Sequence, residues 1–153
     1  MSKTKKEESA IIDQMFSWCA SADDLVIIKK SITEVRKGKG LYSEVIEHKA
    51  DLYHLKFNIA DATGLNLKAS DKLGRVLWQL IYPPIQREKQ IKKAGISFGI
   101  WVYTEDICQY PSHAKLNGKK FSIKGGAKIG FFKHIHTREL VGCGCFSKPI
   151  LPF

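Results

Sequence analysis

The spacing of apolar residues changes abruptly at Ile96, and this change constrains the fold more than any other feature of the 153-residue chain. Before it, apolar residues recur every three or four positions, as in Ile12, Met15 and Phe16, which is the pattern of amphipathic helices. From Ile96 to Tyr103 two sets of side chains alternate, with β-branched and aromatic residues throughout. A period of two over eight residues indicates a strand.

These patterns predict an α+β fold with a helical body over residues 1–95 and a small β-rich Cys/His module over residues 96–153, together forming one compact domain. The first eight residues are strongly charged, and we predict that they are disordered. In the helical body we expect one helix from about residue 42 to 60 and a break or kink at Pro83-Pro84, because neither proline can donate a hydrogen bond. In the module we expect strands near residues 96–103, 120–124 and 128–135, with turns at Asn117-Gly118 and Gly125-Gly126.

The chain carries 25 Lys and Arg residues against 15 Asp and Glu residues, a net charge of +10. Such an excess attracts polyanions, so DNA or RNA is a candidate partner. Lysines scattered over a surface also serve solubility, and that interpretation fits the composition about as well. The candidate nucleic-acid-binding residues are Arg87, Lys89, Lys92, Lys93, Lys119 and Lys120.

No apolar run approaches the ~18 residues that span a bilayer, so we expect no membrane partner. The N-terminal lysines are followed by Glu7 and Glu8 and by no apolar segment, which is unlike a signal peptide. A cytoplasmic setting is therefore expected. Cysteines in such a chain more often serve as free thiols or metal ligands than as disulfides.

Three of the four cysteines and three of the five histidines lie between Cys108 and Cys145. Cys108 and His113 flank a turn at Pro111, and Cys143 and Cys145 are two residues apart, so both thiols can face the same side of an extended segment. Three thiolates and one imidazole would satisfy tetrahedral zinc. We therefore predict a structural zinc site, with its candidate ligands and the two spare histidines being Cys108, His113, Cys143, Cys145, His134 and His136.

Other interpretations of the same residues stay open. His113 could hydrogen-bond within its turn while the cysteines serve as small packing groups or form a facultative disulfide. A small metal-dependent nuclease using His113 and Asp106 is a weaker alternative, because no second acidic cluster follows. The sequence contains no phosphate-binding glycine loop of a familiar spacing. We predict no catalytic residues.

Four segments between about residues 87 and 149 occur in the order and spacing of a known family. They are Ala94-Gly95-Ile96, Trp101 to Asp106, Pro111 to Phe121, and Cys143-Gly144-Cys145 with Pro149. In these segments the chain resembles the C-terminal region of Mu F-like minor head (head morphogenesis) proteins of tailed bacteriophages and prophages. Many members carry arginines where this chain has Cys108 and Tyr110, and family members are typically longer.

The resemblance implies a minor capsid protein that acts near the portal in head morphogenesis, DNA packaging or ejection. It implies portal or capsid proteins as partners, DNA as a neighbour, and a location in the virion or the host cytoplasm. It implies no catalytic activity. We also predict that the chain can form an oligomer. The alternative from the residues themselves is a zinc-containing nucleic-acid-binding module.

Overall fold

The computed structural model describes residues 3–48 and 51–152. The predicted α+β class is confirmed, with helices in the N-terminal part and antiparallel strands in the C-terminal part. The chain divides into two compact units, Met1–Ile81 and Tyr82–Phe153, so the division falls within a long helix rather than after residue 95. That the whole chain forms one compact domain stays a prediction.

The described residues form five α-helices, one short 3-10 helix and five strands. The helices are α1 (Lys3–Phe16), α2 (Ala22–Arg36), α3 (Tyr42–His48), α4 (Leu52–Thr63), α5 (Leu67–Ala94) and the 3-10 helix (Pro111–Leu116). The strands are β1 (Phe98–Val102), β2 (Lys120–Ser122), β3 (Ala127–Gly130), β4 (Lys133–Ile135) and β5 (Phe146–Pro149).

The charged N-terminal segment is helical from Lys3 onward, so the predicted disorder of the first eight residues is wrong for this part. Glu8 is buried, and its carboxylate pairs with the guanidinium of Arg36 on α2, with 2.6 Å between Arg36 Nη1 and Glu8 Oε1. A second hydrogen bond joins the same two groups. This bidentate pair holds the charged segment on the first unit. Met1 and Ser2 lie outside the described residues.

Residues 42–60, predicted as one helix, form two. α3 ends at His48 and α4 begins at Leu52, and the two residues after His48 lie outside the described part. The side chain of Asp51 accepts a hydrogen bond of 3.3 Å from the backbone N–H of His54. An aspartate favours a new helix start here, because it satisfies a first-turn N–H that has no partner within the helix.

Of the predicted break or kink at the two prolines, the break is wrong, because α5 continues through Pro83 and Pro84. A kink there stays a prediction. A proline inside a helix removes one hydrogen bond and costs ~3 kcal/mol. Leu77 and Ile81, in the preceding turns, are buried, and burial of such side chains contributes ~1.5–3 kcal/mol each. That burial offsets much of the cost of the prolines. The two compact units divide between Ile81 and Tyr82, immediately before the prolines.

The second unit is organised by a three-stranded antiparallel sheet in the order β2-β1-β5. In the central strand β1, Gly99 lies opposite Phe121 of β2 and Pro149 of β5. Trp101 of β1 is fully buried and lies opposite Ser147 of β5. Strand β5, which the sequence did not predict, follows directly after the last two cysteines and thereby places them beside β1.

The run from residue 128 to 135, predicted as one strand, forms parts of a hairpin made by β3 and β4. The turn between these strands contains Phe131 and Phe132, whose side chains are 83% and 88% exposed. Phe132 has a φ of 62°, a left-handed conformation that bulky residues rarely adopt. The predicted turn at Gly125-Gly126 is present, and Gly126 has a φ of 84°.

Candidate metal centre

Three short segments of the second unit bring the four predicted metal ligands together. Cys108 lies in the turn that follows β1, His113 lies in the 3-10 helix, and Cys143 and Cys145 precede β5. Their three sulfur atoms and the imidazole nitrogen all lie within 4.8 Å of one another. Cys108, His113 and Cys145 are buried, and Cys143 is half-buried. The structure therefore shows a Cys3His cluster that could coordinate a metal such as zinc.

The distances between the ligand atoms fit a tetrahedral ion. Nδ1 of His113 lies 3.6, 3.5 and 3.8 Å from the sulfur atoms of Cys108, Cys143 and Cys145. The sulfur atoms of Cys108 and Cys145 are 3.7 Å apart. Bond lengths of about 2.3 Å for Zn–S and 2.0–2.1 Å for Zn–N imply tetrahedral edges of about 3.8 Å between two sulfurs and about 3.6 Å between sulfur and nitrogen. These four edges agree with the tetrahedral values, and all six distances among the ligand atoms are at most 4.8 Å.

A tight turn after β1 positions the first two ligands. The carbonyl of Thr104 accepts hydrogen bonds from the backbone N–H groups of Ile107 and Cys108, at 3.1 and 2.8 Å. Pro111 then begins the 3-10 helix, where its missing N–H costs no hydrogen bond. One turn later, the N–H of His113 donates to the carbonyl of the residue before the helix at 3.0 Å. This backbone path brings the side chains of Cys108 and His113 together, with 3.6 Å between Sγ and Nδ1.

The Gly-Cys-Gly-Cys segment lies against that turn and is tied to it by two hydrogen bonds. Gln109 N–H donates to the carbonyl of Gly142 at 2.9 Å, and the hydroxyl of Thr104 donates to the carbonyl of Gly144 at 3.3 Å. Gly142 has a φ of 83°, which glycine adopts without strain. A Cβ atom on Gly144 would lie 2.8 Å from the backbone nitrogen of Cys108. The close approach of the two segments therefore requires glycine at position 144.

Two aromatic residues fix the imidazole of His113. The ring of Tyr110 stacks on it with 5.0 Å between centroids and 16° between planes. Trp101 contacts it edge-on, at 5.8 Å and 85°. The hydroxyl of Tyr110 donates a hydrogen bond of 2.7 Å to the carbonyl of Val141. These contacts hold Nδ1 toward the three sulfurs, and sequence reasoning missed them because aromatic residues two or more positions from a ligand carry no recognisable spacing signal.

The environment of the cluster favours a thiolate. A hydrogen bond with the Cys145 side chain and one with His113 together lower the pKa of the Cys143 thiol to about 4, against the opposing effect of burial. The same shared hydrogen bond and burial raise the pKa of Cys145, whereas the indole N–H of Trp101 lowers it. Metals bind the deprotonated thiol, so a group that already favours this form suits a metal ligand.

The two spare histidines lie outside the cluster. His134 is exposed on β4, and His136 is half-buried two residues further along the chain. Burial, together with the charges of Arg87 and His134, lowers the pKa of His136 to about 4. The structure thus selects His113 rather than either spare residue as the imidazole ligand.

The six predicted nucleic-acid-binding residues lie on two elements. Arg87, Lys89, Lys92 and Lys93 are on the C-terminal part of α5, and Lys119 and Lys120 are at the start of β2. The five lysines are exposed, whereas Arg87 is half-buried. Lys92 pairs with Glu88 at 2.6 Å, and Lys120 lies over the ring of Phe98, 4.4 Å from its centroid. Their role in binding nucleic acid stays a prediction.

Comparisons of this chain with family models, with curated proteins and with solved structures found no match. In the part of the chain that the structure describes, no helix is both long and apolar enough to cross a membrane. The geometry of the second unit is therefore the main basis for a functional proposal.

Proposed function

We propose that this chain is a phage or prophage minor head protein whose C-terminal unit is held together by one structural zinc ion bound to Cys108, His113, Cys143 and Cys145. The observation that carries the zinc assignment is the convergence of the three sulfurs and Nδ1 within 4.8 Å, with the three Nδ1–sulfur distances between 3.5 and 3.8 Å. The assignment to phage heads rests on the sequence resemblance of the same region.

A structural role for the metal follows from the ligand count. Four protein ligands complete the tetrahedral shell of zinc and leave no position for the water that a hydrolytic site needs. Asp106, which the nuclease alternative requires, is exposed, whereas His113 is buried against three sulfurs. These observations favour a closed structural site over a nuclease.

The proposed ion would stabilise a unit whose sheets are small and whose strands are short. Its strands are three to five residues long, and the sheet has three strands. Small units of this kind rarely reach adequate stability from a hydrophobic core alone and commonly use a metal or disulfides. The ion would join the turn after β1 to the segment before β5, so it would close the sheet at the edge where β5 pairs with β1.

Support for the head-protein assignment comes from where the ligands lie in the sequence. His113 falls within the Pro111 to Phe121 segment, and Cys143 and Cys145 form the Cys-x-Cys segment that ends the family's module. Three of the four ligands thus lie in segments that carry the resemblance, whereas Cys108 lies between two of these segments, where many family members carry arginine. A role in head assembly requires a protein partner, and the resemblance points to the portal or the major capsid protein.

Co-expression tests this assignment. We expect the chain to co-elute in size-exclusion chromatography with the portal or the major capsid protein encoded in the same genome, and the complex to survive high salt. An unrelated protein of equal size and charge is the control, because it measures electrostatic association alone. Elution of the chain as a separate peak in the presence of every head component would contradict the assignment.

A nucleic-acid-binding function is the second candidate, and one surface favours it. Residues 107–138 contain six lysines and one arginine and no acidic residue. The β3-β4 hairpin lies in this stretch and carries the exposed Phe131 and Phe132 at its tip. Lysines that contact phosphates beside aromatic rings that stack on bases are the usual components of single-strand binding surfaces.

Replacing Phe131 and Phe132 together with serine tests this second function. We expect the affinity for single-stranded DNA to fall at least about fivefold, since one stacked base contributes ~1–3 kcal/mol. Affinity of the unaltered chain should also fall steeply between ~50 and 200 mM salt. Trp18→Ser is the matched control, because Trp18 is 62% exposed in the other unit. An equal loss of DNA affinity in both variants, or an affinity that salt does not weaken, would contradict the proposal.

A further inference from the structure

A small cavity of about 170 Å³ lies in the second unit, next to the C-terminal part of α5. Its polar lining consists of Gln86, Arg87, Gln90, Thr137, Arg138 and Ser147. Pockets for drug-sized ligands measure ~300–1,000 Å³. This cavity is therefore suited to one small polar group, either a free ion or one end of a larger molecule.

Arg87 is a half-buried positive charge in this lining with few partners of its own. Its Nη1 donates a hydrogen bond of 3.4 Å to the carbonyl of Thr137, which is long for such a bond. Burial lowers the pKa of its guanidinium, and the charge of Glu139 partly opposes this effect. Within residues 3–48 and 51–152, Arg87 forms no ion pair. Pairing with an anion stabilises a guanidinium that has been removed from water.

Arg138 lines the same cavity and has an unusual backbone. Its φ of 60° lies in the left-handed region, which residues with a Cβ adopt at a cost. The following residue, Glu139, continues the turn through a hydrogen bond from its N–H to the carbonyl of His136 at 3.3 Å. Strained backbone conformations of this kind cluster at active sites and ligand-binding segments. Here the conformation places a second arginine in the lining that contains Arg87.

Two buried polar atoms in this neighbourhood have no hydrogen-bond partner among the described residues. They are Oγ of Ser147, a residue of the cavity lining, and Nδ1 of His136. Buried polar atoms are nearly always hydrogen-bonded in folded proteins, so two exceptions this close in the chain to Thr137 and Phe146 mark an unusual polar environment. The pKa of His136 is lowered by burial and then by the positive charges of Arg87 and His134, which indicates a positive potential at this place.

We propose that this cavity binds a phosphate-class oxyanion through Arg87 and Arg138. A guanidinium presents parallel N–H donors that match two oxygens of one phosphate group. The two glutamine side chains offer neutral amide donors without adding a competing carboxylate. Inorganic phosphate and the terminal phosphate of a nucleic-acid strand share this chemistry. The inference does not depend on the head-protein assignment.

Titration of the metal-containing protein with inorganic phosphate tests the proposal. Isothermal titration calorimetry at constant ionic strength should show saturable binding of phosphate, and chloride should show none. Arg87→Gln should weaken phosphate binding at least about tenfold, because hydrogen bonds to charged groups are the stronger kind. Arg75→Gln is the control, because it makes the same substitution at an exposed position of α5 that does not line the cavity.

A second variant and a second ligand complete the test. Arg138→Gln alters an exposed residue and should weaken binding to a similar degree even if Arg87→Gln fails to fold. Tighter binding of a 5′-phosphorylated oligonucleotide than of its unphosphorylated form would identify a strand end as the ligand, and equal binding of the two would identify free phosphate. Phosphate binding that is absent, or that neither arginine variant weakens, would overturn the proposal.

Discussion

Replacing Cys143 with serine is expected to release the metal and to destabilise the C-terminal unit by at least ~3 kcal/mol, because structural zinc contributes its binding free energy directly to folding. Cys143 is half-buried. If no metal were bound, a serine at such a position would change the free energy of unfolding by only about 0.5–1 kcal/mol. The size of the effect therefore separates a metal ligand from a packing residue. Chemical denaturation followed by near-ultraviolet circular dichroism measures it.

The chain supplies a matched control for this substitution. Cys19 is also half-buried, but it lies in the N-terminal unit and outside the Cys3His cluster. Cys19→Ser should leave both metal content and the stability of the C-terminal unit unchanged. Equal and small effects of the two substitutions would show that Cys143 has no special role. A strong zinc chelator should reproduce the effect of Cys143→Ser in the unaltered protein and add nothing in the variant.

Gly144→Ala is expected to destabilise the same unit by about 2–4 kcal/mol, although alanine adds only one methyl group. The added Cβ would overlap the side chain of Ile107 and lie 2.8 Å from the backbone nitrogen of Cys108. Relief of this overlap requires the Gly-Cys-Gly-Cys segment to move away from the turn after β1. That movement would separate Cys108 from the other two cysteines, so metal affinity should fall together with stability.

Gly125→Ala is the control for the glycine prediction. At Gly125 the nearest atom to an added Cβ is Oγ of Ser122 at 3.5 Å, which is ordinary van der Waals contact. We expect a change within about 0.5 kcal/mol for this exposed position. A Gly144→Ala variant that retains full stability and metal affinity would contradict the close approach of the two segments.

The position of the change from helices to strands was predictable because it depends on local spacing. Alternation from Ile96 onward reflects a period of two that only a strand can use, and β1 indeed lies at Phe98–Val102. The continuity of α5 was not predictable in this way. Helix propensities include the free-energy cost of Pro83 and Pro84. They do not include the burial of neighbouring apolar side chains, which occurs only in the folded unit and offsets this cost.

The β3-β4 hairpin shows a second limit of local patterns. Its turn uses Phe131 and Phe132, and Phe132 adopts a left-handed conformation that turn preferences assign to glycine or asparagine. Without a turn signal, the run from residue 128 to 135 resembles one strand. The Gly130 before the two phenylalanines was the available hint, since glycine within a strand often marks an irregularity.

The ligands of the cluster were predictable from residue type. The aromatic contacts that hold the imidazole of His113 in place were not. Few residues bind zinc, so three cysteines and a histidine in one region restrict the choice strongly. The selection of His113 over the other two histidines depends on the ring of Tyr110 and the edge of Trp101. Those contacts form only when β1, the 3-10 helix and the segment that contains Val141 pack together in the folded protein. The spacing of residues along the chain therefore does not predict them.

The metal content of the purified protein tests the central claim most directly. Elemental analysis of the unaltered chain and of the Cys143→Ser variant, with protein concentration measured on the same samples, gives the ratio of metal to protein. We predict one zinc ion per chain in the unaltered protein and essentially none in the variant. An unaltered protein that is folded and contains no metal, and that takes up none when zinc is added under reducing conditions, would contradict the account.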